Sequence, residues 1–298
     1  MTGYVDAHLH FWDREVARYR WLEDEPRLPA RAALGDYREA TADDPPEQFV
    51  FVQAGADPAD GAAEARWVHA MCSATPDFAG MVVWAPVDDG PHAVAAHLDA
   101  LELPSVVGVR RLIQWEPPGL CTQPGFVGAV ASLGRRGLSF DVCVFARQLD
   151  DALAMARAAP DTRLVLDHLG KPDIAGGNVA AGNTASGEVA GWRGRFEALA
   201  GLDNVWCKLS GLVTEADHAR WSVNDLRPFV HTALELFGPR RIIWGSDWPV
   251  CTLASTHRHW RQATAELLGD LSEDERQQIM AHNARAVYGL RPPPPPAP

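Results

Sequence analysis

The sequence has 298 residues, 47% hydrophobic and 22% charged, which suffices for one large globular domain with a substantial core. Its 27 basic and 39 acidic residues give a formal charge of −12, which argues against nucleic-acid or anionic-membrane partners, since both demand a basic face. No apolar run approaches the roughly 20 residues of a membrane span, no basic-then-apolar leader opens the chain, and five scattered cysteines without paired spacing suit a reduced, cytoplasmic protein rather than a cysteine zinc site.

The first predicted strand runs through Val5-Asp6-Ala7-His8-Leu9-His10. With a side-chain period of two, Asp6, His8 and His10 are expected on one face and Val5, Ala7 and Leu9 on the other. Two imidazoles on one face can grip a divalent cation from one side. The polar stretch from Asp13 to Pro46 is too long for an ordinary loop and reads as a functional loop with short helical pieces. Further strands follow at Phe49–Gln53, Met81–Trp84, Val106–Ile113, Leu138–Phe145, Arg163–His168, Asn204–Ser210 and Arg241–Asp247. Helical periodicity separates them, at Ala62–Ala74, Pro91–Leu101, Phe126–Arg136, Leu149–Ala159, Trp192–Ala200 and Asp225–Phe237. Ile174–Gly191 is rich in Gly, Ala, Asn and Ser and reads as a flexible loop over or beside the site. Two helices close the fold, the second opened by a Ser272/Glu275 capping box.

Eight strands alternating with helices predict a single-domain (β/α)8 TIM barrel over residues 1–290, with 291–298 a proline-rich, disordered tail. A doubly wound sheet is the alternative, but no G-x-G-x-x-G follows the first strand and there is no P-loop.

Barrel enzymes gather their chemistry at the C-terminal ends of the strands. There the sequence offers His8, His10, His168 and Asp247 as ligands for one divalent metal, zinc or manganese. Such a metal lowers the pKa of water toward neutrality, and Asp247 can bind the metal, take the water's proton, or both. Strand four ends without a lysine or acid and strand five without a histidine, so a second metal is not expected. Period-two alternation turns Trp206, Lys208 and Ser210 into the barrel, and a lysine there demands a partner or a function. One of Arg110 and Arg111 faces inward, with Asp141 as its expected partner. Gln114 ends strand four, and Lys171 can reach an oxyanion. Trp12, Trp84, Trp115 and Trp248 fall at strand ends, where aromatic faces suit sugar rings.

Taken together, Asp6-Ala7-His8-Leu9-His10-Phe11-Trp12, Gly108-Val109-Arg110-Arg111, Leu166-Asp167-His168-Leu169-Gly170-Lys171-Pro172, Trp206-Cys207-Lys208-Leu209-Ser210-Gly211-Leu212 and Gly245-Ser246-Asp247-Trp248-Pro249 resemble the lactonase branch of the amidohydrolase superfamily. The resemblance spans the chain to about Leu290. It implies a barrel hydrolase opening a sugar-acid lactone of the L-fucono-1,5-lactone type, with His8, His10, His168 and Asp247 at the reaction centre; Lys208, from its inward position, is expected to act in turnover beside Asp247 and His168. Arg110, Arg111, Gln114, Lys171 and Trp12 are the expected substrate contacts. The implied cofactor is one divalent metal, or none tightly bound. The expected partner is a small neutral sugar lactone, and the expected state a monomer or homodimer. The alternatives are a metal-dependent non-oxidative decarboxylase of the same superfamily and a non-catalytic sugar-acid-binding barrel.

Overall fold

Eight strands follow one another around one sheet in chain order: β1 (Val5–Leu9), β2 (Gln48–Val52), β3 (Phe78–Val83), β4 (Val106–Leu112), β5 (Ser139–Cys143), β6 (Leu164–Leu166), β7 (Val205–Leu209) and β8 (Ile242–Trp244). The structure, a computed structural model, describes residues 3–176 and 187–292. All neighbours pair in parallel. The ring closes just past β8, where the Asp247 amide donates to the His8 carbonyl and the His10 amide to the Trp248 carbonyl, each at 2.7 Å. Helices α1 (Gly61–Cys72), α2 (Pro91–Leu101), α3 (Pro124–Arg135), α4 (Leu149–Ala158), α5 (Gly187–Ala200), α6 (Val223–Phe237) and α7 (His257–Leu267) form the outer layer. The fold is the expected (β/α)8 barrel.

Alternation along each strand builds two cores. On β2, Phe49 and Phe51 face the helices, while Val50 and Val52 face inward. The inner set joins Val5, Ala7, Val82, Val165 and Ile243, all fully buried, each valine and isoleucine worth about 1.5–3 kcal/mol. The chain's last helical segment plugs this core. The capping box forms as expected, with the Ser272 amide donating to Glu275 Oε2 at 2.9 Å. The helix then passes through a π turn at Gln278–His282 into Asn283–Tyr288. Asn283 Nδ2 donates to the carbonyls of Pro239 and Ile242 at 2.7 Å, which ties the plug to β8.

β1 departs from simple alternation. Asp6 pairs with Phe49 but Leu9 with Phe51, so three steps on β1 match two on β2. This bulge puts Val5 and Ala7 inside and also leaves His8 and His10 inside. Asp6 is therefore not on the histidines' face, contrary to expectation. Its carboxylate accepts from Tyr37 Oη and the Ser246 amide, both at 2.8 Å, outside the barrel.

The stretch from Asp13 to Pro46 forms a small hairpin (Trp12–Asp13 with Arg31–Ala32) and two short helices, Arg20–Glu23 and Leu34–Ala40. Of the expected loop at 174–191, residues 177–186 lie outside the described residues, and α5 begins at Gly187 rather than Trp192. Residues 293–298 of the expected tail also lie outside them. Arg291 is tied down, its carbonyl accepting from Gln48 Nε2 at 2.7 Å.

Candidate active site

The strand ends converge on a cavity of about 630 Å³. His10, Arg110, Gln114, His168, Lys171 and Asp247 line its floor and walls. Local backbone geometry aims these groups. Five non-glycine residues have positive φ among the described residues, and four of them are His168, Leu169, Lys171 and Asp247. Such conformations cost about 1–3 kcal/mol each and collect where function requires them. Both turns come just after their strands end, at Leu166 and Trp244, a little earlier than the sequence suggested. Two glycines make room. A Cβ on Gly245 would stand 2.5 Å from His8 Cβ, and one on Gly211 (φ +64°) would stand 2.3 Å from His168 Nδ1.

His8, His10 and Asp247 form a compact donor set. Nε2 of His8 lies 3.2 Å from Nε2 of His10 and 3.7 Å from Asp247 Oδ1, and His10 Nε2 lies 3.2 Å from the same oxygen. Zinc–ligand distances of 2.0–2.1 Å in a tetrahedron put donors about 3.3 Å apart, so the set fits. Protonation logic gives the same answer. His10 Nδ1 must donate to the Val52 carbonyl, 2.7 Å away, because a carbonyl only accepts. Nε2 is therefore the ring nitrogen that faces Asp247 Oδ1 and the one placed to serve as a metal ligand.

A second donor set, His8, Asp167 and His168, is also buried. Here two cations already serve the carboxylate. Asp167 Oδ1 lies 3.2 Å from Lys208 Nζ, and Oδ2 accepts from Arg110 Nη1 at 3.0 Å. His8 is common to both sets, and His168 does not share the compact set of His10 and Asp247. Its Nδ1 is held by Ser210 Oγ at 2.9 Å, which leaves Nε2 for the cavity it lines. Zinc added to metal-stripped protein is expected to bind at one ion per chain and to raise Tm. The His10→Ala variant should lose both effects, which metal analysis and a thermal scan would check.

Below the cavity lies a buried charge network. Lys208 has no exposed surface. Its Nζ lies 2.5 Å from Asp141 Oδ2 and 3.1 Å from His8 Nδ1, and Tyr288 Oη donates to the same Asp141 oxygen at 2.8 Å. Asp141 therefore partners Lys208, not an arginine as expected. Arg110 is the inward arginine, and its partner is Asp167, a residue sequence reasoning did not single out. Arg111 does not join the site and turns outward to Asp88 and Glu116. Trp12 is also no cavity contact. It is fully buried, donating to the Pro29 carbonyl and standing edge-on to Trp21, which does line the cavity. Trp248 is buried as well, whereas Trp115 is 59% exposed at the lip.

Burial sets the charge states. It pushes His168 down from 6.5 to about 4, and lowers His8 strongly, helped by Lys208. Burial also raises Asp141 to about 6, against the pull of Lys208. Burial opposes ionisation of Asp247 too, yet the imidazoles of His168, His10 and His8 outweigh it and hold the carboxyl below its ordinary range. The pH dependence follows by linkage. Between about pH 4 and 6.5 the unfolded chain binds a proton that folded His168 refuses, so that stability is full above 6.5 and drains as pH falls. His8, Asp167 and Asp247 act in the same direction, the two carboxylates only below about 3.8, while Asp141 between 3.8 and about 6 and buried Glu64 between 4.5 and about 7 oppose them. Denaturant titrations of metal-free protein should therefore give lower stability at pH 3, where the lowered Asp167 and Asp247 add to the two histidines, than at pH 7, and a flat or inverted profile between those pH values would contradict these assignments.

The described residues contain no helix long and apolar enough to cross a membrane, and all five cysteines are buried and free. The family model described as amidohydrolase matches residues 5–290. An L-fucono-1,5-lactonase of Burkholderia multivorans is 31% identical, across 96% of this chain and 96% of its own. Crystal structures of an amidohydrolase from the same organism superpose with TM-scores of 0.87 (bound HEPES, 28% identical) and 0.85 (bound zinc, 29% identical). Each alignment covers 97% of this chain and 100% of the other.

Proposed function

The chain belongs to the amidohydrolase family, and from that membership we propose that it is a lactonase, opening a neutral sugar-acid lactone of the L-fucono-1,5-lactone kind to the hydroxy acid. The observation that carries this reading is the convergence of His8, His10 and Asp247 on one point at the floor of an open cavity. The lactonase relative supports the reaction, and the zinc-bound neighbour supports a divalent metal. We take zinc as the metal, since two imidazoles and a carboxylate are its usual donors.

His8, His10 and Asp247 would hold the ion, which supplies Lewis acidity toward the carbonyl and a lowered pKa for the attacking water. Asp247, ionised throughout the neutral range, orients that water and accepts its proton. The water oxygen adds to the carbonyl carbon, the ring C–O bond breaks, and the departing ring oxygen takes a proton. That proton is the one Asp247 took from the water, and His168, neutral and held by Ser210, presents Nε2 to the cavity as a hydrogen-bond partner for the substrate. The Lys171 ammonium, 3.2 Å from Glu215, stands over the cavity as a cation for the developing oxyanion. Lys208 and Asp167 touch His8 rather than the cavity and act by positioning it.

Charge in the cavity favours a neutral ring. Asp24, Glu25 and Glu215 line it, while its cations Arg110 and Lys171 are already engaged by Asp167 and Glu215. A dicarboxylate ring would meet more negative than free positive charge. A panel of neutral aldonolactones and dicarboxylate lactones, read by acid release with a pH indicator on protein of measured metal content, tests this. The expected result is turnover of neutral lactones only. CO₂ release from hydroxybenzoates without acid release from lactones would establish the decarboxylase alternative instead.

A further inference from the structure

A second cavity of about 420 Å³ adjoins the first. Trp21, Leu112 and Trp115 line both, so the two share one largely aromatic wall, with Trp115 59% exposed at its edge. Its other side carries Trp84, Arg20, Gln53, Arg111 and Glu116. This chamber collects two of the groups that sequence reasoning assigned to substrate and the catalytic cavity leaves unused, Arg111 and Trp84.

The walls have a definite chemistry. Trp84 lies against Gly61, where a Cβ would come within 2.8 Å of the indole, and its edge meets His97 at 5.2 Å. Trp21 is fixed by its Nε1–H bond to the Ala54 carbonyl at 2.7 Å. Held indoles suit the C–H face of a pyranose. The polar groups are planar and already neutralised. Arg111 bonds Asp88 and Glu116, and Arg20 bonds both oxygens of Asp57 at 2.9 Å. They offer donors and acceptors to hydroxyls without a net charge to satisfy. A purely apolar group in this chamber would leave them unserved.

We infer that this chamber is a distal subsite for a second sugar residue, so that the preferred substrate is the lactone of a disaccharide acid rather than of a single sugar. The inference rests on the lactonase reading above. The lactone ring sits over His10 and Asp247, and the attached pyranose passes Trp115 to stack beside Trp84. The subsite acts on binding, so its effect should appear chiefly in KM.

Matched pairs test it: monosaccharide aldonolactones and their glycosylated counterparts, assayed with the full chain. The glycosylated member is expected to have a kcat/KM about tenfold higher, the size of one or two stacking contacts. Trp84→Leu should abolish that advantage and leave the monosaccharide value unchanged. Arg20→Ala, at a side chain 71% exposed, should lower it as well and carries the test if the tryptophan variant misfolds. Equal turnover within each pair, or variants that slow both members alike, would overturn the subsite while leaving the lactonase reading intact. Failure to open any lactone, plain or glycosylated, would remove both.

Discussion

Asp247→Asn is expected to lower kcat/KM for lactone by at least ~10²–10⁴ while the protein stays folded. The carboxylate stands where three imidazoles meet, and its Oδ1 lies within 3.7 Å of both His8 and His10 Nε2. An amide keeps the shape but removes the charge that offsets a cation and the lone pair that takes the water's proton. The backbone should tolerate it, because asparagine is among the residues that accept the φ of +59° seen there. Metal analysis separates two roles: metal retained with activity lost makes Asp247 chiefly the base, and loss of both makes it chiefly a ligand. Near-normal hydrolysis by a folded variant would rule out either role.

Lys208→Met should destabilise the fold by about 3–5 kcal/mol, the usual consequence of stripping one partner from a buried ion pair. The sequence alone suggests the opposite, since removing an inward lysine seems to relieve a buried charge. The geometry reverses the sign. Among the described residues Lys208 is the only cation within bonding reach of Asp141, and it also meets Asp167; both carboxylates are fully buried. Its loss leaves them facing one another and removes a contact to His8. Asp141, already raised to about 6 by burial, can escape by taking up a proton. Denaturant titrations should therefore show a smaller deficit for the variant at pH 5 than at pH 8. A variant as stable as the parent at pH 8 would show that the network is not under the charge balance described here. Weaker metal binding should accompany the instability, because His8 loses its support from behind.

Most of the barrel was legible because the strands are short apolar runs at regular intervals, and Lys208 was legible because β7 keeps strict alternation. The errors share a cause. Asp6 was misassigned because a bulge in β1 leaves no mark in Val5-Asp6-Ala7-His8; the extra residue is decided by packing Val5 and Ala7 against the C-terminal plug. Asp167 was overlooked because neighbours on a strand point opposite ways. The left-handed turn at His168 (φ +54°) breaks that rule and lets both residues reach the site. Arg110 and Arg111 are equivalent to any local reading, and only the partners Asp167 and Asp88 distinguish them. Trp12 looked like a rim aromatic, yet the hairpin it opens buries it and presents Trp21 to the cavity instead.

Hydrolysis of a neutral aldonolactone in H₂¹⁸O, followed by mass spectrometry, tests the central claim most directly. Water delivered beside Asp247 to the carbonyl carbon predicts one ¹⁸O per turnover in the carboxylate of the product and none in the freed hydroxyl, at a rate that collapses in Asp247→Asn. Lactone consumed no faster than in buffer, or label appearing in the departing hydroxyl, would contradict acyl attack at this site.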